Sequence, residues 1–570
     1  MTRLFNNPEN FPNEAAEGYL LANKRHVSGL YGGAVRATKT PENKVALVIG
    51  GGTGHYPAFA GWVGHGMADG VVMGNIFSSP SAAQAVSVAK AAERGGGVLI
   101  AFGNYAGDVL HFGDAAAQLT AQGIPAKAVV TTDDIASAGP DEIEKRRGIA
   151  GWVPIFKTTG AAAERGLSFD EVEAVFHKAN SRTRTLGVAF SGCTLPGADE
   201  PLFTVPEGKM AIGLGVHGEP GISEEPLGTA DEVAKLLVDR LLEERPEGND
   251  GRVIALLNGL GAAKYEEMFV TFRAVNKLLE EAGLTVVDGE VGEFATSLDM
   301  SGISLTLFWV DDELESLWND PVDTPAYRRG SVDNAAMRDD LGELSQEPTK
   351  LEVTEKGSAD SQKLASAIAE TLDKVTALLD EKSAELGKLD AIAGDGDHGI
   401  GMHRGAENAT VAAKRLVGDG AGAGTTLAGA GEAWSATAGG TSGALWGVLL
   451  GAAGQGVGDT DLPSDQEVAS IVHQVADALL AAGGAQLGDK TMLDALLPFV
   501  DALEAEVKGE GTLKEKWNRA ALVAVGAAKK TAQLSPKIGR ARPLAERSVG
   551  HADPGAVSLA YIIDAIGQEL

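Results

Sequence analysis

The chain has a single cysteine, Cys193, among 570 residues. No intramolecular disulfide and no cysteine metal cluster can form, which fits a reducing compartment. Basic residues are outnumbered: 48 Lys and Arg stand against 79 Asp and Glu, a formal charge of −31 at pH 7. Nucleic acid and anionic membrane surfaces both call for a basic face, so neither is an expected partner. Aromatic residues are scarce, at 5%. No apolar run reaches the roughly 18 residues of a membrane span. The opening residues, Met1 to Pro8, lack the apolar core of a signal peptide. The expectation is a cytoplasmic protein. Also missing are the G-x-x-x-x-G-K-[ST] phosphate loop and the H-R-D and D-F-G sets of protein kinases.

Glycine, in contrast, is abundant, with 75 residues and no collagen period. That usage points to tight turns and to backbone lying close against a ligand. Hydrophobic residues (44%) and charged residues (22%) are at globular levels, and the length allows three or four domains of ordinary size.

The first 330 residues alternate short apolar runs with helical patterns. Runs at 44–50, 97–101, 126–130, 185–190, 209–212, 252–257 and 303–310 read as strands. The stretches 82–94 and 265–282 read as helices. Continuous apolar strands between helices predict sheets buried on both faces, hence an α/β domain over 1–330 with room for two sub-domains. Residues 331–358 are polar and contain proline, and they read as a linker. From 359 to 570 the strand signal fades. Ala/Leu-rich segments at 360–386, 404–417, 426–437, 464–482, 491–508 and 513–533 predict an all-helical domain.

The sharpest chemical signal is Asp390-Ala-Ile-Ala-Gly-Asp395-Gly-Asp397-His398-Gly399, with three carboxylates inside eight residues. Hard cations take oxygen ligands, and Mg²⁺ is commonly held by a few carboxylates together with substrate phosphates. A Ca²⁺ loop does not fit, because no carboxylate stands where the closing Glu belongs. Ala438-Gly-Gly-Thr441-Ser442-Gly443 precedes a helical pattern and reads equally as a helix cap or as an anion site. Gly488-Asp-Lys-Thr-Met492 and Gly550-His-Ala-Asp553-Pro554-Gly555 read singly as capped helix starts. Four such turns beside a carboxylate triplet favour a nucleotide-phosphate and Mg²⁺ site.

In the first half, Gly50-Gly51-Gly52-Thr53-Gly54-His55 follows directly on a strand. It is either a tight turn or a loop that brings backbone to a polar ligand. Gly213-Leu-Gly215-Val-His217-Gly218 matches G-x-G-x-x-G in form only, since Glu219-Pro220-Gly221 stands where a helix should run. His217 among glycines is sterically open. Asp108 follows another strand end, either as a helix-capping residue or as part of a site.

Taken together, the GDGDHG, GGTSGA, GDKTM and GHADPG motifs in that order, with GLGVHGEPG in the first half, resemble the ATP-dependent dihydroxyacetone kinase family. The resemblance covers nearly the whole chain and includes erythrulose kinases. It implies a two-part α/β ketone-binding domain, a barrel of helices that binds ATP and Mg²⁺, and a homodimer. It implies that His217 adds to the substrate carbonyl as a covalent hemiaminal, with His55 and Asp108 bonding the substrate hydroxyls and helping deprotonate the attacking one. Gly51, Gly52, Thr53, Gly54 and Ser79 match the substrate loop and its surroundings. Asp390, Asp395 and Asp397 match the ligands of two Mg²⁺ ions. His398, Gly399, Ile400, Gly401, Thr441, Ser442, Gly483, Met492, Arg540, Asp553, Pro554 and Gly555 match nucleotide contacts.

Two departures fall on the ketone side. The family's GGGSGHEP is GGGTGHYP here, and its asparagine pair before Leu-Gly-Gly appears as Asn258-Gly259-Leu260-Gly261-Ala262. The expected substrate is therefore a short ketose, either dihydroxyacetone or a four-carbon ketose such as erythrulose. Alternatives within the family are a phosphocarrier-dependent phosphotransferase and a kinase with an FAD-cyclising side activity.

Overall fold

The computed structural model describes residues 2–219, 221–331, 338–340, 342, 351–539 and 541–570. The chain divides into two compact units, Met1–Pro348 and Thr349–Leu570. The linker expected over 331–358 lies in part outside the described residues, and Arg540 lies outside them too.

The first unit carries two six-stranded sheets. One is built from β1 (Val27–Leu30), β2 (Gly33–Arg36), β3 (Ala46–Thr53), β4 (Gly70–Ile76), β5 (Val98–Gly103) and β6 (Ala126–Thr131), in the order β1-β2-β4-β3-β5-β6. Its β4-β3-β5-β6 core is parallel, with Val48 opposite Ile100 and Ile100 opposite Ala128. The other is built from β7 (Thr183–Ala189), β8 (Lys209–Ile212), β9 (Ser223–Pro226), β10 (Arg252–Gly259), β11 (Thr285–Gly292) and β12 (Gly302–Trp309), in the order β11-β10-β12-β7-β8-β9. Only β10 and β11 run parallel there; the remaining pairs are antiparallel.

The helices of this unit are α1 (Phe11–Ala22), α2 (Ala82–Ala92), α3 (Ala106–Ala121), α4 (Trp152–Glu164), α5 (Phe169–Ser181), α6 (Ala230–Leu242), α7 (Tyr265–Glu281) and α8 (Asp312–Trp318). Leu47 and Ile49 of β3 point into a core shared with Trp152, Phe156, Trp318 and the inner face of the second sheet, at Ile254 and Leu256. Ala46 and Val48 point the other way, onto α2 and α3. The second sheet repeats the plan, with Val253, Ala255 and Leu257 packed on α6 and α7. Both faces of these strands are apolar, which is why they read as unbroken runs rather than alternating ones. The strands that pattern reading misses are short, at β1, β2 and β9, or interrupted by glycine, as at Gly74 of β4 and Gly289 of β11.

Among the described residues the second unit contains helices and no strand: α9 (Ala359–Asp390), α10 (His398–Gly418), α11 (Ala423–Ala438), α12 (Gly440–Val457), α13 (Asp465–Gly483), α14 (Leu493–Glu506), α15 (Leu513–Lys530), α16 (Ala545–Ser548) and α17 (Pro554–Glu569). Each long helix packs on the next, and α17 returns to α9, closing a ring around one apolar core. Two starts follow from S/T-x-x-E capping boxes, Ser464 with Glu467 and Thr512 with Glu515. No helix among the described residues is long and apolar enough to cross a membrane.

Candidate active site

In the α/β unit the predicted residues collect at strand ends. β3 runs into Gly51–Thr53 and then His55; β5 ends at Gly103, just before Tyr105 and the first turn of α3 with Asp108; β8 leads into the 213–219 loop with His217. The carboxyl edge of a parallel sheet is where an α/β fold leaves room for a ligand.

His55 and His217 meet edge to face, with ring centroids 4.8 Å apart. Phe77 stacks on His55 at 5.0 Å, and Tyr105 stands edge-on to His217 at 4.5 Å. His55 is buried, and its Nδ1 lies 2.8 Å from the Thr296 carbonyl oxygen. Because that oxygen can only accept, Nδ1 carries the proton and Nε2 keeps its lone pair. Nε2 is buried and has no hydrogen-bond partner. Burial, reinforced by His217, pushes the His55 pKa down to about 3, so the ring is neutral in any physiological medium.

The segment 294–298 holds both histidine loops. Thr296 grips His55, while Ser297 donates to the Val216 carbonyl at 2.6 Å. Asn258, fully buried at the end of β10, braces the segment by accepting from the Phe294 and Ala295 amides and donating to the Ala295 carbonyl. Gly52 allows close approach: a Cβ there would lie 2.6 Å from the Ser78 amide nitrogen. The stretch containing Ser79 is thereby seated against the glycine loop. Asp108 is buried in the first turn of α3, whose N-cap position is Tyr105.

Sequence reasoning missed three polar neighbours: Thr296, Ser297 and Glu219. Glu219 lies 3.1 Å from His217 Nδ1. An H-x-E spacing in a glycine-rich loop was the available signal. The side chains at the two changed positions of the glycine-loop motif face away from the histidine pair. Thr53 donates its hydroxyl to the Gly74 carbonyl, and Tyr56 lines a cavity of about 490 Å³ together with Tyr19, Met73 and Leu298. Neither histidine lines that cavity.

In the helical unit Asp390 closes α9, and Asp397 precedes α10. Oxygens of Asp390, Asp395 and Asp397 lie within 4.8 Å of one another. Three carboxylates gathered so closely repel one another unless a cation joins them, so the donor set fits a hard divalent ion. The loop is held by the Gly396 amide donating to Asp390 Oδ2 at 2.8 Å. Gly399 lets α10 lie directly on α9, since a Cβ there would meet the Ser383 carbonyl oxygen at 2.0 Å.

The other motifs gather around this corner. His398 contacts the Ser558 hydroxyl through Nε2 at 2.9 Å and Ser442 through Nδ1 at 3.5 Å, linking α10 to α17 and to the start of α12. Burial lowers the His398 pKa. Thr441 and Ser442 sit in the first turn of α12, which no side chain caps. Met492 packs against Gly555, Gly401 lies beside the Ala438 carbonyl, and Gly483 lies beside Leu445. Asp553 caps α17 by accepting from the Ala556 amide at 2.7 Å, and burial raises its pKa to about 7. Ile400 is half exposed on α10. Hydrogen bonds from His398 thus tie the starts of α10 and α12 to α17 at this corner.

An α/β unit with a buried histidine set against a part-buried one, joined to a ring of helices with a carboxylate cluster, is the build of a two-domain small-molecule kinase. Residues 17–326 match the Dak1 domain family, and residues 392–568 match the DAK2 domain family. The chain belongs to the dihydroxyacetone kinase family, with both domains in one polypeptide. It is 53% identical over 577 residues to the L-erythrulose kinase of Pectobacterium atrosepticum, covering 100% of this chain and 97% of that one. It is 52% identical over 566 residues to the D-erythrulose kinase of Mycolicibacterium smegmatis, covering 98% and 97%. Among solved structures, the dihydroxyacetone kinase of C. freundii in complex with AMP-PNP and Mg²⁺ is 28% identical, with a TM-score of 0.53 and full coverage of both chains.

Proposed function

We propose that this protein transfers the γ-phosphoryl group of ATP to a terminal hydroxyl of a four-carbon ketose, erythrulose, held covalently on His217. The supporting observation for the substrate is identity above 50% with erythrulose kinases along essentially the whole chain. For the covalent role, the support is the pairing of His217 with a neutral, buried His55 at the sheet edge.

In this reading an unprotonated nitrogen of His217 adds to the ketose carbonyl. A polyol such as glycerol has no carbonyl and is rejected by chemistry rather than by shape. His55 Nε2, an unpartnered buried acceptor, and Asp108 take hydrogen bonds from the substrate hydroxyls and draw the proton from the attacking one. The glycine loop 51–54 and Ser79 border the ketose. Asp390, Asp395 and Asp397 hold Mg²⁺, which when bound neutralises phosphate charge. The turns at His398–Gly401, Thr441–Ser442, Met492 and Asp553–Gly555, with Gly483, border the nucleotide. The working unit is a homodimer.

The test is ADP release by the purified chain with ATP and Mg²⁺, run over D-erythrulose, L-erythrulose, dihydroxyacetone and glycerol. Turnover of one erythrulose enantiomer well above dihydroxyacetone, with none on glycerol, is the expected result. Preference for dihydroxyacetone removes the four-carbon assignment. Turnover of glycerol removes the covalent step.

A further inference from the structure

Glu219 lies two residues beyond His217 and reaches back to hold it at two points. Its Oε1 is 3.1 Å from His217 Nδ1, and its Oε2 accepts from the His217 backbone amide at 2.9 Å. The turn is closed by the Gly215 amide donating to the Glu219 carbonyl at 3.1 Å. Gly215 is required by this packing, because a Cβ there would lie 2.1 Å from Glu219 Oε2 and 2.6 Å from an Arg147 nitrogen. The carboxylate is largely covered, with its side chain 10% exposed. On its far side stands the Arg147 guanidinium, 3.8 Å away, which is itself bonded to Asp134 at 2.8 Å and to the Gly213 carbonyl at 3.3 Å. A four-member line, His217–Glu219–Arg147–Asp134, thus runs inward from the ring.

We propose that Glu219 is a positioning residue for His217: it holds the proton on Nδ1, turns Nε2 outward as the nucleophile, and balances the ring charge that forms on addition, while Arg147 limits how strongly it does so. This rests on the covalent role of His217 proposed above.

Burial pushes the Glu219 carboxyl up, but His217 and Arg147 outweigh it and hold the group below the usual carboxylate range. An ionised carboxylate only accepts, so the proton between it and the ring belongs to Nδ1. In a neutral imidazole the lone pair then sits on Nε2. In the addition, the Nε2 lone pair forms the C–N bond and the carbonyl π pair moves to oxygen. This leaves an imidazolium beside an alkoxide, and Glu219 balances the ring charge; the ring then gives up its Nδ1 proton to solvent water and the oxygen takes one from it, so the adduct is neutral overall and Glu219 stays ionised. A lone buried carboxylate would also favour imidazolium and remove the nucleophile. Arg147 opposes that by drawing on the same charge. The other titratable groups packed on the ring are His55, which is neutral, and the Tyr105 phenol, which burial keeps protonated.

The experiment compares His217→Ala, Glu219→Gln and Arg147→Gln in the full chain. The readouts are the pH profile of kcat/KM for the ketose, AMP-PNP affinity with Mg²⁺, and ring ¹⁵N shifts of His217. Glu219→Gln is expected to lower kcat/KM about 100-fold, on the scale of other buried orienting carboxylates. It should also move the acid limb to lower pH and leave AMP-PNP affinity unchanged. Arg147→Gln should move the acid limb the opposite way, to higher pH. The wild-type ring should show a protonated Nδ1 and an unprotonated Nε2. A wild-type acid limb in both variants, or a ring protonated on Nε2 in the wild type, overturns the proposal. If His217→Ala keeps its turnover, the covalent reading itself fails. If His217→Ala is dead while Glu219→Gln behaves as wild type, only the role of Glu219 fails.

Discussion

The candidate ketose site and the candidate nucleotide site are assembled in different ways. In the α/β unit, His55 and His217 come from two separate strand ends and meet among aromatic rings, while Thr296, which holds His55, and Asn258, which braces the 294–298 segment, come from two further parts of the chain. In the helical unit, the three aspartates come from one eight-residue stretch, from the last residue of α9 to the residue before α10, and none of them is buried. Burial decides protonation in the first site: it strips His55 of its charge and leaves Nε2 as a bare acceptor. In the second, exposure and proximity keep carboxylates available to a cation. Addition to a carbonyl needs a neutral nitrogen, whereas metal and phosphate binding needs concentrated charge.

The sharpest way to break this contrast is to remove the nucleophile. His217→Ala should lower kcat/KM for the ketose by about 10³-fold or more and leave AMP-PNP affinity within twofold. Steady-state kinetics and calorimetric titration measure the two halves separately, and a joint loss would mean that the sites are not independent. The complementary change, Asp395→Asn, should weaken Mg²⁺-dependent AMP-PNP binding by about 10- to 100-fold, as expected when a metal site loses one carboxylate. Binding of ¹³C-labelled ketose, followed through its carbonyl resonance, should persist in that variant. If the nucleotide titration is unchanged, the cluster does not hold the metal.

The smallest effect sharpens the role of burial. His55 is neutral when folded, with a pKa near 3, but takes a proton near 6.5 when unfolded. Below pH 6.5 the unfolded chain therefore binds more protons, and stability falls as pH drops. The contribution is fully present above about pH 6.5, and about 1 kcal/mol of it is gone by pH 6. Scanning calorimetry of the α/β unit at pH 8 and pH 6 should show a smaller decline for His55→Gln than for the wild type. Equal declines would show that His55 is not held neutral.

Local sequence reading succeeded where chemistry is local. GDGDHG announced the carboxylate cluster, and the structure adds only that Gly396 and Gly399 let the loop fold over Asp390 and α10 lie on α9. The buried strands were legible as continuous apolar runs because both of their faces are covered. Glycine-interrupted β4 and β11 were not, since the apolar signal is broken at Gly74 and Gly289. Asn258 attracted notice as a departure from a family motif, but its work of bracing the segment that grips His55 shows only in the fold.

The sequence by itself determined the layering, the family, and which side chains are available to hold a metal or attack a carbonyl, because those depend on residue type and short spacing. Tertiary structure alone decided that His55 faces His217, that Thr296 fixes its tautomer, and that Glu219 and Arg147 stand in line behind the second ring. Charge state depends on desolvation and on neighbours brought from distant parts of the chain, and neither is written in any short stretch of residues.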